Sequence, residues 1–202
     1  MEEKELRERL AVHGEWLLDN RFDGRLNLAG EVIEDIDLRG ANFKGAILAG
    51  AEFHMCDLNG ADFGGANVEG CKWHNCDARD CSFAYTNMRH AVMSYCNMTG
   101  ADFMNANLYR ADFCAARLAG TSWYFSNIYG ISLHGSKGCV ALTPWGMYGD
   151  ILLAVIHSNG WHVKNDCFWG TLDEFKRFVK AEYSAGDRWR DLARADIAML
   201  RQ

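Results

Sequence analysis

Every fifth residue from Leu28 to Leu133 is apolar, twenty-two consecutive positions without a break. Two residues before these centres, from Ala41 to Ser126, eighteen consecutive positions hold only Ala, Cys, Ser or Thr. A period of five fits neither the 3.6 of a helix nor the 2.0 of a strand, so the chain must turn repeatedly, with the large and the small position pointing inward together. Residues twenty apart also agree in type. One column reads Phe43, Phe63, Phe83, Phe103, Trp123, and the column from Leu28 continues Leu48, Val68, Met88, Leu108, Ile128. One face is therefore aromatic and its neighbour aliphatic, the pattern of coils with four sides. Aromatic rings stacked at the strand spacing of about 4.8 Å meet in the offset geometry they prefer.

The units Ala41-Asn42-Phe43-Lys44-Gly45, Ala61-Asp62-Phe63-Gly64-Gly65 and Ala101-Asp102-Phe103-Met104-Asn105 resemble the A-(D/N)-L-x-x unit of the pentapeptide-repeat family. The resemblance covers residues 26 to 135. It implies a mainly β fold, a right-handed quadrilateral β-helix of about five and a half coils, with four units in each coil. Five cysteines, Cys56, Cys71, Cys76, Cys81 and Cys96, take the small inward position, where a thiol serves as a slightly enlarged alanine and calls for no redox role.

Both ends depart from the repeat. Residues 1–25 are expected to form a capping segment whose helix, over residues 2 to 18, carries Leu6, Leu10 and Leu17 on one side. The string Leu10-x-x-His13-x-x-Trp16-Leu17 before Gly24 is similar to a leader in phage and prophage members of the family. Leu26, Glu31 and Ile36 stand at the normally small position, so the first coil is expected to be irregular. After Leu133 the period stops, and the stretch from Gly135 to Pro144, with the single proline, marks a boundary. Residues 136–202 are expected to form a small α+β module of a hairpin and two helices. Ser158-Asn159-Gly160 joins two apolar runs, Thr171 and Glu174 read as a capping box, and a last helix spans about 187 to 201. The segment from Cys167 to Phe175 is similar to a C-terminal segment of phage proteins.

The enzyme classes find no motif. Gly130 to Lys137 departs from a Walker A loop by an extra serine before the lysine, and no H-E-x-x-H, G-x-S-x-G or EF-hand loop occurs. His54 and His74 lie twenty apart on one outward position without further ligands in their column. No catalytic residue, cofactor or metal is expected. The net charge of -6 argues against direct nucleic-acid binding, no apolar run is long enough for a membrane span, and the acidic N-terminus lacks a signal pattern, which points to the cytoplasm of a bacterial host.

What remains is surface. Asp37, Asp57 and Asp77, extended by Asp80, form an acidic ladder on one face. The resemblance implies mimicry of duplex DNA against type II topoisomerases. Arg39, Arg79 and Arg117 reduce that face to a net of -1, and Asn and Asp at such positions also serve turn chemistry. Tyr109 and Tyr129 fall on one face and Tyr85, Tyr124 and Phe125 on the adjoining one, an aromatic set that meets at a corner of the late coils, to be covered by the C-terminal module or to bind a protein. The expected function is a non-enzymatic interaction module, phage-encoded, that modulates a host DNA-acting protein, topoisomerase or defence nuclease. A structural spacer presenting the C-terminal module is the second reading. A homodimer through that module or the aromatic corner fits either.

Overall fold

A computed structural model describes residues 1–21, 23–145, 150–164 and 168–182, with 194, 198 and 200. The helix expected over residues 187 to 201 lies outside the described residues apart from these last three.

The repeat folds into a four-sided parallel β-helix. Parallel bridges join residues twenty apart along all four sides, from Asn27 with Ile47 to Arg117 with Lys137. One side widens into short strands β1 (Val32–Glu34), β2 (Glu52–His54) and β3 (Lys72–His74), paired in that order. The centres from Leu28 to Trp123 are fully buried, and the five small-position thiols with them. Burial pushes the Cys71 and Cys81 thiols up to about 12, which keeps them protonated and inert. In the aromatic column, ring centroids lie 4.6 Å apart for Phe43 and Phe63, 5.2 Å for Phe63 and Phe83, and 5.4 Å for Phe83 and Phe103. Phe53 meets the rings of Phe43 and Phe63 edge-on, so the stack is held from the side as well.

The last residue of every unit from Gly30 to Gly135 has positive φ. Glycine takes this left-handed turn without a Cβ penalty, and it fills half of these slots. Where Asp or Asn stands before a centre, it closes the turn from the other side. Asp and Asn accept the amide two residues on, as Asp57 does from Asn59 (3.1 Å) and Asp62 from Gly64 (2.9 Å).

The first coil has no coil before it to donate to its carbonyls, and α1 (Glu3–Leu18) supplies the missing donors with side chains. The Met1 amine donates to the Val32 carbonyl (2.8 Å), Arg7 to that of Asp37 (3.0 Å), and Arg9 to that of Asn27. His13 is buried between them, accepting at Nδ1 from the Leu26 amide (3.1 Å) and donating from Nε2 to the Lys44 carbonyl (3.0 Å). Leu6 and Leu10 pack on the core as expected, whereas Leu17 does not join it.

Burial lowers the His13 pKa, so the ring stays neutral in the folded chain. The unfolded chain takes up the proton near pH 6.5, and the folded chain does so only at lower pH. The cap is therefore at full strength above that pH and weakens on acidification. Hydrogen-exchange protection in α1, corrected for the intrinsic exchange rate at each pH, should fall between pH 7 and pH 5, and His13→Ala should flatten that dependence; wild-type protection that changes no more with pH than the variant's would contradict this role.

At the other end, the expected hairpin forms. β5 (Asp150–His157) pairs antiparallel with β6 (Gly160–Lys164) around Ser158 and Asn159. Two strands beyond that expectation complete a four-stranded sheet, β4 (Cys139–Trp145) and β7 (Trp169–Thr171), in the order β4-β5-β6-β7. The stretch read as a boundary thus carries a strand. Pro144 lies on β4, the edge strand of this order, beside a register shift between Ala141 and Pro144. The Thr171 hydroxyl accepts from the Glu174 amide (3.3 Å) and Glu174 from that of Thr171 (2.8 Å), opening α2 (Leu172–Glu182) with the expected box.

β5 alternates its side chains between two cores. Leu153 and Val155 join the coil core, while Leu152 and Ala154 pack with Val163, Phe175 and Val179. Within the coil, the Gly100 amide donates to Ala119 of the next turn; at the end, the Gly120 amide donates instead to Ile156 of β5 (2.6 Å). The strand takes the bond that a further coil would have made. Among the described residues no helix is long and apolar enough to cross a membrane.

Candidate protein-binding surface

The acidic ladder is built as turn chemistry. Asp37, Asp57 and Asp77 stack through parallel bridges, and each accepts the amide two residues ahead. Arg39 forks onto Asp37 (2.6 Å) and reaches Asp57 (3.5 Å), and Arg79 forks onto Asp77 (2.6 Å). The guanidiniums hold the Asp37 and Asp77 carboxyls well below the usual carboxylate range. Asp80 sits on the same side with its carboxylate where a Cβ on Gly100 would lie. The ladder is a row of charges already matched at short range, a poor copy of an unneutralised phosphate row.

His54 and His74 stack with ring centroids 5.4 Å apart, and His54 meets Glu52 at 3.3 Å. Among the described residues no group of three or more His, Cys, Asp or Glu is placed to hold a metal. Gly130 to Lys137 belongs to the coil itself, with Gly130 and Gly135 at turns and Lys137 bridged to Arg117.

Four of the five aromatic residues stay open. Tyr85 is 65% exposed, Phe125 61%, Tyr129 53% and Tyr124 42%, while Tyr109 is half-buried; among the described residues the C-terminal sheet packs on the coil end instead. Two ring pairs stand on adjoining sides: Tyr109 stacks on Tyr129 (5.7 Å, 7°), and Tyr124 contacts Phe125 (4.0 Å). Tyr85 stands in the column of Phe125, with Asn105 between them.

The backbone adds a feature that the spacing analysis passed over. Tyr85 (φ 61°) and Phe125 (φ 54°) occupy the left-handed slot, as do the exposed Tyr95 (φ 60°) and Met55 (φ 53°). A bulky side chain there costs about 1 to 2 kcal/mol relative to glycine. These rings are both strained and solvent-facing, a combination that folding alone does not reward. The signal in the sequence was a large apolar residue at the fifth position of a unit, where glycine fills half of the slots.

Tyr109 carries a second arrangement absent from the spacing. The guanidiniums of Arg89 and Arg110 lie 5.1 Å and 5.2 Å from its ring centre, and His90 meets it edge-on at 5.7 Å.

None of the curated proteins compared with the chain matches it. Among solved structures the chain is similar to QnrB1, a plasmid-mediated fluoroquinolone resistance protein, at 24% identity over 55% of this chain and 67% of that one, with a TM-score of 0.44. It is similar to a pentapeptide repeat protein of the Arabidopsis thaliana thylakoid lumen at 28% identity, over 54% of this chain and 65% of that one, with a TM-score of 0.32. A third likeness is to the pentapeptide repeat protein Rfr23 of the cyanobacterium Cyanothece 51142, at 19% identity over 63% of this chain and 94% of that one, with a TM-score of 0.30. Residues 66–137 match the family described as a pentapeptide repeat region, and residues 36–72 match that of pentapeptide repeats in 8 copies. Through residues 36–137, half of its length, the chain belongs to the pentapeptide-repeat family, and its coil is the right-handed quadrilateral β-helix which that membership implies.

Proposed function

We propose that the chain is a non-enzymatic protein-interaction module that docks a protein partner through the late-coil aromatic residues Tyr85, Tyr124 and Phe125. The observation that carries this reading is the placement of exposed rings in strained backbone positions. Rings held rigidly by a coil lose little entropy on binding, which suits them as anchors. The acidic ladder supports mimicry of DNA less well, because its carboxylates are paired with Arg39 and Arg79. The target class that the family theme supplies is a DNA-acting enzyme of a bacterial host, with a phage or prophage as the source of the chain. The segments 1–25, 26–135 and 136–202 then act as cap, binding rod and end module.

A supercoiling assay with purified gyrase across a salt series tests this reading. Phe125→Asn should abolish inhibition while leaving the melting temperature unchanged or higher, since asparagine tolerates the left-handed slot, and inhibition by wild type should depend weakly on salt. The reverse would replace docking by mimicry: inhibition steep in salt, lost in the combined Asp37→Asn, Asp57→Asn and Asp77→Asn variant, and untouched by Phe125→Asn. No effect of wild type on gyrase would remove gyrase from the target class.

A further inference from the structure

Three arginines of this chain are neutralised by an aspartate two residues before them. In Asp19-x-Arg21, Asp37-x-Arg39 and Asp77-x-Arg79 the guanidinium folds back onto the aspartate two residues before it, each at 2.6 Å. Arg89 breaks the pattern because Asn87 stands in the aspartate position, and the Asn87 oxygen is taken by the Arg89 amide. Arg110 is preceded by Leu108 at that offset, and no carboxylate among the described residues pairs with it. Both guanidiniums converge on the ring of Tyr109, itself stacked on Tyr129. Two like charges held against one ring repel each other, and a bound anion relieves that repulsion. Among the described residues the carboxylate paired with them is Glu69, 3.8 Å from Arg89 and shared with the Asn87 amide group (3.1 Å). In the three coil units that form this side of the late coils, residues 86–90, 106–110 and 126–130, there is no Asp or Glu.

We propose that Arg89 and Arg110, fixed on Tyr109, recognise a short run of carboxylates on the protein partner, an acidic peptide segment. This rests on the reading that the late coils dock a protein. Two guanidinium forks match two carboxylates in number and geometry. A nucleic-acid strand would need a continued basic track, and the next side offers Asp112 while the aromatic side offers Asp102.

Fluorescence polarisation with a labelled oligoglutamate peptide, using the full chain, tests the proposal directly. Wild type should bind it, and the Arg89→Gln, Arg110→Gln double variant should weaken binding at least about tenfold at unchanged melting temperature, with wild-type binding falling as salt rises. Tyr109→Leu should weaken it as well, because the forks lose their platform. Phe125→Asn should leave peptide binding intact, so that failure of the aromatic docking reading and failure of acid recognition give different results. Equal binding by wild type and the double variant would overturn the proposal, as would no peptide binding at low salt, or tighter binding of a labelled single-stranded oligonucleotide than of the peptide.

Discussion

Phe83→Ala is expected to destabilise the coil by about 3 to 5 kcal/mol, and to lower its melting temperature by on the order of 10 °C. Phe83 is fully buried, stacked between Phe63 and Phe103 and touched from the side by Trp73 at 5.4 Å. In a globular core the neighbours could relax toward the gap. Here they cannot, because backbone bonds fix the coil spacing above and below: the Phe83 amide donates to Asp102 (2.7 Å), and the Ser82 amide donates to Ala61 (3.0 Å). Lys44→Ala is the matched control on the outer surface of the same side. It removes an exposed ion pair with Asp62 at 2.9 Å and should change stability by less than about 1 kcal/mol. A calorimetric melt of Phe83→Ala that superimposes on wild type would mean the column is not the core.

Gly138→Ala is expected to cost about 2 to 5 kcal/mol and to act at the coil end. Its φ of 81° makes any side chain costly by about 1 to 2 kcal/mol. The added Cβ would also fall 2.5 Å from the Ala119 nitrogen and 2.8 Å from its Cα, a clash with backbone that no side-chain rotation relieves. The Gly138 carbonyl accepts from Ile156 (2.9 Å), so the displacement would be passed to β5 and to the contacts of Leu153 and Val155 with the coil core. Gly60→Ala separates the two causes, because at φ 69° nothing lies within 4 Å of its Cβ and it should show the conformational cost alone. The check is a pair of denaturant melts, with Gly138→Ala the more destabilised; equal losses would leave the contact with Ala119 without energetic weight.

The architecture was legible because a core made of identical turns repeats its demands in the sequence. Phe43, Phe63, Phe83 and Phe103 have the same neighbours, so one column of residues reports one column of space. The hairpin at Ser158 and Asn159 and the box at Thr171 and Glu174 were legible for another reason, since each is decided by a few adjacent residues. The ends were harder to read because they answer to the edge of the coil rather than to a period. α1 binds the coil through Arg7, Arg9 and His13, which cover carbonyls, as well as through Leu6 and Leu10, and Leu17 on the apolar side does not join the core. Pro144 looked like a chain break because its tolerance depends on its place on an edge strand beside the register shift with β5, which local sequence does not encode.

The surface was legible only in part. Spacing placed Tyr109 over Tyr129, and Tyr85, Tyr124 and Phe125 on the adjoining side, but not the ring contact of Tyr124 with Phe125. Whether Arg89 folds back onto the residue two before it or reaches Tyr109 turns on Asn87 in place of aspartate and on a ring twenty residues away. Strain at Tyr85 and Phe125 follows from φ, which becomes visible once the turn geometry of the repeat is known.

The central claim is that the exposed, strained rings of the late coils are where a protein partner sits, and site-specific photo-crosslinking tests it most directly. A photoreactive amino acid placed at Phe125, and in a separate protein at Asp37 on the acidic ladder, would be activated in cells that express the full chain. Covalent adducts to a protein from position 125, none from position 37, and loss of the adduct when Tyr124 is also changed to Ala are the expected result. Adducts from position 37 with none from position 125 would contradict it and move the binding surface to the acidic side of the coil.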